Sequence, residues 1–174
     1  SGNVGTATRT VTVGVVGDSY QGGIIFWLDG NGGGLISAPT DQSSEAQWGC
    51  YGTNITGAGG TAIGTGNQNT IDIINANCTS NNVPNSATGA GSPTAADICA
   101  NLTLGGYSDW FLPSKGELNK MYLNKAAIGG FANDYYWSST ESGTHGAWDQ
   151  NFSSGGPDTS SKQGNDRVRA IRAF

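Results

Sequence analysis

Strand signals lie at both ends of this chain, and helix signals lie only between them. Residues 6–16 alternate threonine with apolar residues, and a glycine-rich turn joins apolar runs at 24–28 and 35–38, as in a β-hairpin. Short aromatic and alternating strands return in residues 135–174. Strand and helix do not alternate along the chain, which argues against a doubly wound parallel sheet. The order predicts an α+β fold with small antiparallel sheets, two to three short helices, long loops and both termini paired in one sheet.

The helix signals are N-terminal caps. Asn69 is expected to cap the segment TIDIINAN, and Ser92 followed by Pro93 is expected to open PTAADICANL, because proline favours the first helical position. The third helix has the clearest start, a capping box formed by Ser114 and Glu117. Its apolar residues recur at i, i+3 and i+4, which predicts core packing: Leu118, Met121 and Tyr122.

The composition suits a loop-rich extracellular domain better than a cytosolic enzyme. Only 12% of the 174 residues are charged, where roughly a quarter is usual, and 29 are glycine. The net charge of -5 without a basic patch argues against nucleic acid as a partner. No apolar run approaches the ~20 residues of a membrane span. The length suits one domain at 15–174, with 1–14 as a leader strand or the tail of a preceding domain in a larger surface protein.

The three cysteines are Cys50, Cys78 and Cys99. They form no CxxC pair, and with a single histidine the chain lacks a zinc-site pattern. In an oxidising compartment we expect a Cys78–Cys99 disulfide that closes the polar loop between them, with Cys50 unpaired. The alternative is three buried thiols.

The most polar run of the chain, DQNFSSGGPDTSSKQGND at 149–166, lies between segments that look like core strands. Its composition alone is typical of a flexible linker. A linker joins domains, however, whereas this run is bracketed by YYWSST and RVRAIRAF. We therefore expect it to be displayed on the folded domain. The arginines of the last segment either form a solvated face or pair with carboxylates: Arg167, Arg169 and Arg172.

The chain resembles the domain at the C-terminus of bacterial collagen-like adhesins, in the segments VGDSYQGGIIFWLD, GLISAPTDQS, TLGGYSDWFLPSKGELNKMY and YYWSSTE…AW…VRAIRAF. The resemblance covers residues 15–174 and implies a C-type-lectin-type fold. It also implies an extracellular location, on a cell surface or a phage particle. The segment GNVGTATRTVTV is similar to the last strand of bacterial immunoglobulin-like repeats.

A narrower resemblance concerns residues 136–174, which are similar to the variable region of proteins diversified by diversity-generating retroelements. Those proteins carry the same fold and hold their varied positions within a constant frame. The resemblance implies the frame Trp137, Ser138, Ser139, Glu141, Ala147, Trp148, Gln150, Asn151, Phe152, Gly155, Lys162 and Arg167 onward. It implies a ligand-binding surface of the intervening residues, with Trp148 as an aromatic anchor: Ser142, Gly143, Thr144, His145, Gly146, Asp149, Ser153, Ser154, Gly156, Asp158, Thr159, Ser160, Ser161, Gly164, Asn165 and Asp166.

The genetic code supplies one check on this resemblance. Errors at the adenines of AAC codons cannot produce Lys, Gln, Glu, Met or Trp. Every intervening residue named above passes the check, whereas Lys162 and Gln163 do not, so these two belong to the frame or come from another codon. Ordinary polar loops use the same residue types, so the alternative of a domain outside any retroelement stays open.

Catalysis finds little support in the sequence. His145 is the only histidine and lies in the polar window, where a ligand contact is expected rather than a catalytic triad. Formylglycine-generating enzymes use the same fold but need cysteines in their C-terminal half, and this chain has none after Cys99. An acid/base pair of carboxylates would require a chance geometry among Asp109, Glu117, Asp134, Glu141 and Asp149.

No cofactor and no metal site is expected, and calcium is the one ion considered. The EPN, QPD and WND motifs of animal C-type lectins are absent, since AWDQNF has the order Trp-Asp-Gln. Calcium needs several oxygen ligands held together. The residues that could supply them are Asp29, Asn31, Asp134 and Asp158.

Together these patterns predict a non-enzymatic surface domain that binds a protein or glycan on another cell or surface. Its binding surface would be the diversified polar window. One alternative is an adhesin module of fixed specificity for a glycan or matrix polymer, and another is a structural spacer in a multidomain surface protein.

Overall fold

The computed structural model describes residues 14–78 and 93–174. The predicted leader strand, apart from its last residues, lies outside them. The strands of the described ranges are β1 (Ser19–Tyr20), β2 (Gly23–Leu28), β3 (Gly34–Ser37), β4 (Ser43–Gln47), β5 (Tyr135–Glu141), β6 (Gly146–Asn151), β7 (Pro157–Ser161), β8 (Asn165–Val168) and β9 (Ile171–Ala173). The helices there are α1 (Gly66–Asn75), α2 (Ala95–Ala100), α3 (Lys115–Leu123) and α4 (Lys125–Ile128).

The first sheet joins the two ends of the domain. Its order is β1-β2-β3-β9, and all its pairs are antiparallel. The predicted hairpin is its centre, with Ile25 opposite Ile36. The first and last strands of the described ranges share this sheet, as predicted, but they form its opposite edges and are not paired with each other. The rings of Tyr20 and Phe174 touch, with centroids 4.9 Å apart.

The second sheet has the order β4-β8-β5-β6-β7. Its neighbours are antiparallel except β5 and β8, which are parallel where Tyr136 lies opposite Arg167. β7 is therefore an edge strand. The segment RVRAIRAF contributes a strand to each sheet, because β8 ends at Val168 and β9 begins at Ile171. This change of sheet explains the imperfect alternation at Ala170–Ile171.

The third helix is confirmed as predicted. Ser114 caps α3 and its side chain accepts from the N–H of Glu117, whose carboxylate in turn accepts from the N–H of Ser114. Leu118 and Met121 are buried on the face that was predicted to pack.

The predicted starts of the first two helices are wrong. α1 begins at Gly66 after Thr65, with no side-chain cap. Asn69 lies inside α1, buried, and its side chain holds the loop before the helix through the N–H and C=O of Gly60. α2 begins after Thr94, which forms a capping box with Asp97. Thr94 lies next to Pro93, so the proline signal located the helix but not its capping residue.

The predicted disulfide is also wrong. Cys50 and Cys78 form the bridge, with their Cα atoms 5.1 Å apart. Cys99, on α2, is a free and buried thiol. The bridge ties the loop after β4 to the end of α1, a contact between distant segments that spacing in the sequence could not reveal.

The core has two apolar clusters. One fills the space around Trp48, Trp110 and Trp137, and the other surrounds Tyr136 and Phe152. The α+β architecture of two small, mostly antiparallel sheets with short helices and long loops is a C-type-lectin-like fold.

Candidate functional site

The polar run is ordered structure at the edge of the second sheet. It includes the end of β6, all of β7 and the start of β8. We call residues 142–146, 153–161 and 163–165 the polar strip. Ten of the predicted binding residues are exposed there: Ser142, Thr144, His145, Ser153, Ser154, Gly156, Asp158, Thr159, Ser161 and Asn165.

The other predicted binding residues are less accessible. Six are half-buried: Gly143, Gly146, Trp148, Ser160, Gly164 and Asp166. Asp149 has an exposed fraction of only 1%, so it lies beneath the strip rather than on it. Its side chain accepts a hydrogen bond from the hydroxyl of Ser160. Most of the predicted binding residues are therefore accessible, but Asp149 is not, and binding by the others stays a prediction.

Two turns of the strip meet at one end of β7. The N–H of Lys162 donates to the C=O of His145 over 3.0 Å. The imidazole of His145 lies 4.7 Å from the ring of Tyr51, and the N–H of Gly52 donates to the C=O of Thr144 over 3.0 Å. The loop after β4, which the Cys50–Cys78 bridge restrains, thus borders the strip.

A buried ion pair holds this end in place. Lys162 is 0% exposed, and its Nζ lies 2.5 Å from the carboxylate of Glu141. The same Nζ donates to the C=O of Thr53 over 2.8 Å and lies 4.7 Å from the ring of Trp48. Burial lowers the pKa of Lys162, and the Glu141 carboxylate opposes that shift. Lys162 is thus an internal support within an exposed segment.

The turn between β6 and β7 is held just as firmly. The side-chain oxygen of Asn151 accepts from the N–H groups of Ser153 and Ser154. Gly155 has φ +84°, and a Cβ there would collide with the ring of Tyr122. Phe152 is fully buried. Both ends of β7 are therefore fixed by frame residues.

The outer edge of β7 is protected against the addition of another strand. In the β6–β7 register, Lys162 is hydrogen-bonded to His145 at one end, and Asn151 to Gly156 at the other. Because bonded and non-bonded pairs alternate along antiparallel strands, the backbone groups of Thr159 point away from β6. The N–H of Thr159 is occupied by the carboxylate of Asp158 at 2.8 Å, and Pro157 has no N–H. Such features block edge-to-edge pairing, so a ligand would be bound by side chains.

A groove of about 400 Å³ lies beside the strip. Its lining residues are Thr61, Lys115, Gly116, Asn119 and Pro157. The ammonium of Lys115 sits 3.1 Å from the ring centroid of Trp148, so one face of this predicted anchor is covered by the cation. Gln150 donates to Asn119 over 2.9 Å and joins β6 to α3.

Two carboxyl groups meet behind the strip. Asp149 on β6 and Asp166 on β8 lie close enough for their charges to interact, and each has one buried carboxyl oxygen that receives no hydrogen bond from any described residue. Burial, with the charge of Asp149 beside it, raises the pKa of Asp166 to about 7. Burial also raises the pKa of Asp149, which the Ser160 hydroxyl opposes. Neither carboxyl has an ion-pair partner within the described ranges.

The residues considered for calcium have separate local roles. The carboxylate of Asp29 accepts from the N–H groups of Asn31 and Gly33 within the hairpin turn. Asp134 pairs with Arg167 over 3.0 Å, and Asp158 occupies the N–H of Thr159. Residues 14–78 and 93–174 contain no group of three or more His, Cys, Asp or Glu side chains placed to hold a metal.

The C-terminal arginines pair with carboxylates rather than forming a solvated face. Asp41 is the centre of this arrangement, because it accepts from Arg169, from Arg167 and from the Tyr136 hydroxyl. Arg172 pairs with Asp109. Asp41 was not predicted from the sequence, since a lone aspartate in a loop carries no signal of distant partners.

The family of the chain follows from its sequence as well as its fold. The sequence matches the family described as Lcl C-terminal domain over residues 38–172, well over half of the chain. The protein belongs to the Lcl C-terminal domain family. No curated protein matches it. The family and the C-type-lectin-like fold define a surface adhesin-like module. Across the described ranges, no helix is long and apolar enough to cross a membrane.

Proposed function

We propose that this domain is a non-enzymatic, extracellular ligand-binding module whose polar strip is diversified by a retroelement. The observation that carries the proposal is the division of burial within residues 141–166. The intervening positions are mostly exposed, whereas Gln150, Phe152 and Lys162 are buried and the Glu141 side chain is only 7% exposed. A surface can be varied without unfolding the domain only if its supports are separate from its contacts.

The state of the potential catalytic groups supports a binding role. His145 is exposed and packs on Tyr51 rather than on a nucleophile. Cys99 is buried, and burial raises the pKa of its thiol, which disfavours the reactive thiolate. Polar strips of Ser, Gly, Asn and Asp suit adaptable hydrogen bonding, as in antibody loops.

The experiment has a genetic and a binding arm. The genetic arm looks beside the gene for a near-copy of its 3′ coding sequence that differs at adenines, together with a reverse transcriptase gene. The binding arm compares glycan and protein arrays probed with the native domain and with a Thr144→Ala, Thr159→Ala, Asn165→Ala triple variant. Diversification predicts both genetic elements and a ligand lost in the triple variant. Absence of both genetic elements contradicts the retroelement, and no ligand on either array contradicts the binding role in favour of a spacer.

A fixed-specificity adhesin is the second candidate, and the groove favours it. Only one of its lining residues, Pro157, belongs to the polar strip, so most of its lining would stay constant. Its lysine, amide and hydroxyl groups suit the hydroxyls or acidic groups of a glycan. Binding that is lost in Lys115→Ala or Asn119→Ala and kept in the strip triple variant would assign the ligand to the groove.

A further inference from the structure

We propose that Asp149 and Asp166 hold one proton between them, and that its loss loosens the crossover from β7 to β8. The proposal concerns the carboxyl pair beneath the polar strip. It makes the order of the strip dependent on pH, whichever ligand the strip binds.

The pair lies where the chain crosses from β7 to β8. β7 is the edge strand, whereas β8 lies two strands further in, beyond β6 and β5. The chain must therefore pass from the edge of the sheet across two strands between Ser161 and Asn165. Asp166 is near the end of that passage, and Asp149 belongs to β6, which the passage crosses. A proton shared between the two carboxyls would link the end of the passage to β6.

The burial of two oxygens without donors supports a shared proton. Oδ2 of Asp149 accepts from Ser160, but Oδ1 of Asp149 and Oδ2 of Asp166 are buried and receive no donor from any other described group. Two carboxylate oxygens attract each other only when one of them is protonated. Unprotonated, the pair would be two like charges out of water, which repel strongly.

The charged groups around the pair make a shared proton more favourable. Asp158 on β7 faces Asp149, and Asp134 before β5 faces Asp166, so both neighbours add negative charge. Arg167 is the nearest cation in the chain sequence, but it pairs with Asp134 and Asp41 instead. Lys162 pairs with Glu141. The proton is thus the only positive charge that the described residues offer to the pair.

The sign of the pH effect follows from linkage. An aspartate in an unfolded chain loses its proton near pH 4, whereas the folded pair keeps one to about pH 7. Folding is therefore favoured by this proton below pH 4, and that advantage is lost as the pH rises from 4 to 7. One retained proton changes the unfolding equilibrium constant up to about tenfold per pH unit in that interval.

The test compares urea unfolding of the native domain with that of Asp166→Asn and Asp149→Asn between pH 4 and 8. Glu45→Gln is the matched control, because it removes an exposed carboxylate from strand β4. We expect each Asn variant to gain stability relative to the native domain as the pH rises, up to about tenfold in the equilibrium constant per pH unit. The stability of Glu45→Gln should change with pH in the same way as that of the native domain. Parallel curves for all variants would overturn the proposal.

Two measurements on the native domain keep the proposal testable if the variants do not fold. Carboxyl carbon NMR should show one group of the pair titrating near neutral pH, and titration of both near pH 4 would overturn the proposal. Hydrogen exchange at amides 162–166, corrected for intrinsic rate, should be faster at pH 8 than at pH 5. Stabilisation by calcium at pH 8 in the native domain but not in Asp166→Asn would instead assign the pair to a cation. None of these readouts uses the ligand, so their failure leaves the proposed function standing.

Discussion

Lys162 lies within the most polar run of the chain, yet its ammonium is buried against the carboxylate of Glu141 at 2.5 Å. The pair also holds the loop after β4, because Lys162 donates to Thr53 and Glu141 accepts from the N–H of Ile55. One side chain thus fixes the polar strip, the end of β5 and a neighbouring loop together.

Lys162→Ala should destabilise the domain by about 3–5 kcal/mol, because it leaves the Glu141 carboxylate buried without a counter-charge. Its neighbour Gln163 is exposed, so Gln163→Ala should stay within about 0.5 kcal/mol of the native domain. Chemical unfolding of the two variants measures both values. Equal, small effects would show that the pair does not support the strip.

Asp41→Ala should also destabilise the domain by about 3–5 kcal/mol, because Arg169 is 1% exposed and would lose its carboxylate partner. Asp41→Asn keeps an acceptor for the Tyr136 hydroxyl and should cost less. Thermal unfolding of both variants provides the comparison. If Asp41→Ala melts with the native domain, Asp41 is not the centre of the arginine cluster.

Non-reducing peptide mapping should recover a peptide pair linked through Cys50 and Cys78, with Cys99 alkylated only after unfolding. The bridge closes a loop with a sequence separation of 28, so Cys78→Ser should cost about 3–4 kcal/mol in the chain-entropy account. A linked Cys78–Cys99 peptide would contradict the structure.

Acid should weaken the arginine pairs on the surface. Hydrogen bonding to Arg172 lowers the pKa of Asp109, and hydrogen bonding to Arg167 lowers that of Asp134. For each, the stabilisation is present above the unfolded pKa near 4 and is lost as the pH falls through the lower folded value. The Asp109→Asn, Asp134→Asn double variant should therefore lose less stability than the native domain between pH 4 and 2. Solvent screens both pairs, so the difference should be modest.

The sequence predicted the elements more accurately than their connections. The hairpin, the Ser114–Glu117 capping box and the aromatic strands depend on neighbouring residues, and local patterns carry that information. The Cys50–Cys78 bridge, the role of Asn69 and the hub at Asp41 depend on contacts between distant segments. Local sequence patterns carry no information about those contacts.

The candidate site shows the same limit. Polar composition and resemblance located the strip. The codon check set Lys162 and Gln163 apart together, but only Lys162 is buried. Asp149 passed the same code check, yet it is buried, because period-two alternation along β6 turns it to the side opposite Trp148. Asp166 belongs to β8, which is separated from β6 by β5 in the sheet, and no sequence pattern indicated that strand order.

Saturation mutagenesis of residues 141–166, scored for folding by display and protease resistance, tests the central claim most directly. The account predicts that the exposed positions accept most residues: Ser142, Thr144, Ser153, Ser154, Thr159, Ser161 and Asn165. It predicts that the supports accept very few: Glu141, Gln150, Phe152, Gly155 and Lys162. Equal tolerance in the two sets, or intolerance at the exposed positions, would contradict a constant frame that carries an interchangeable polar strip.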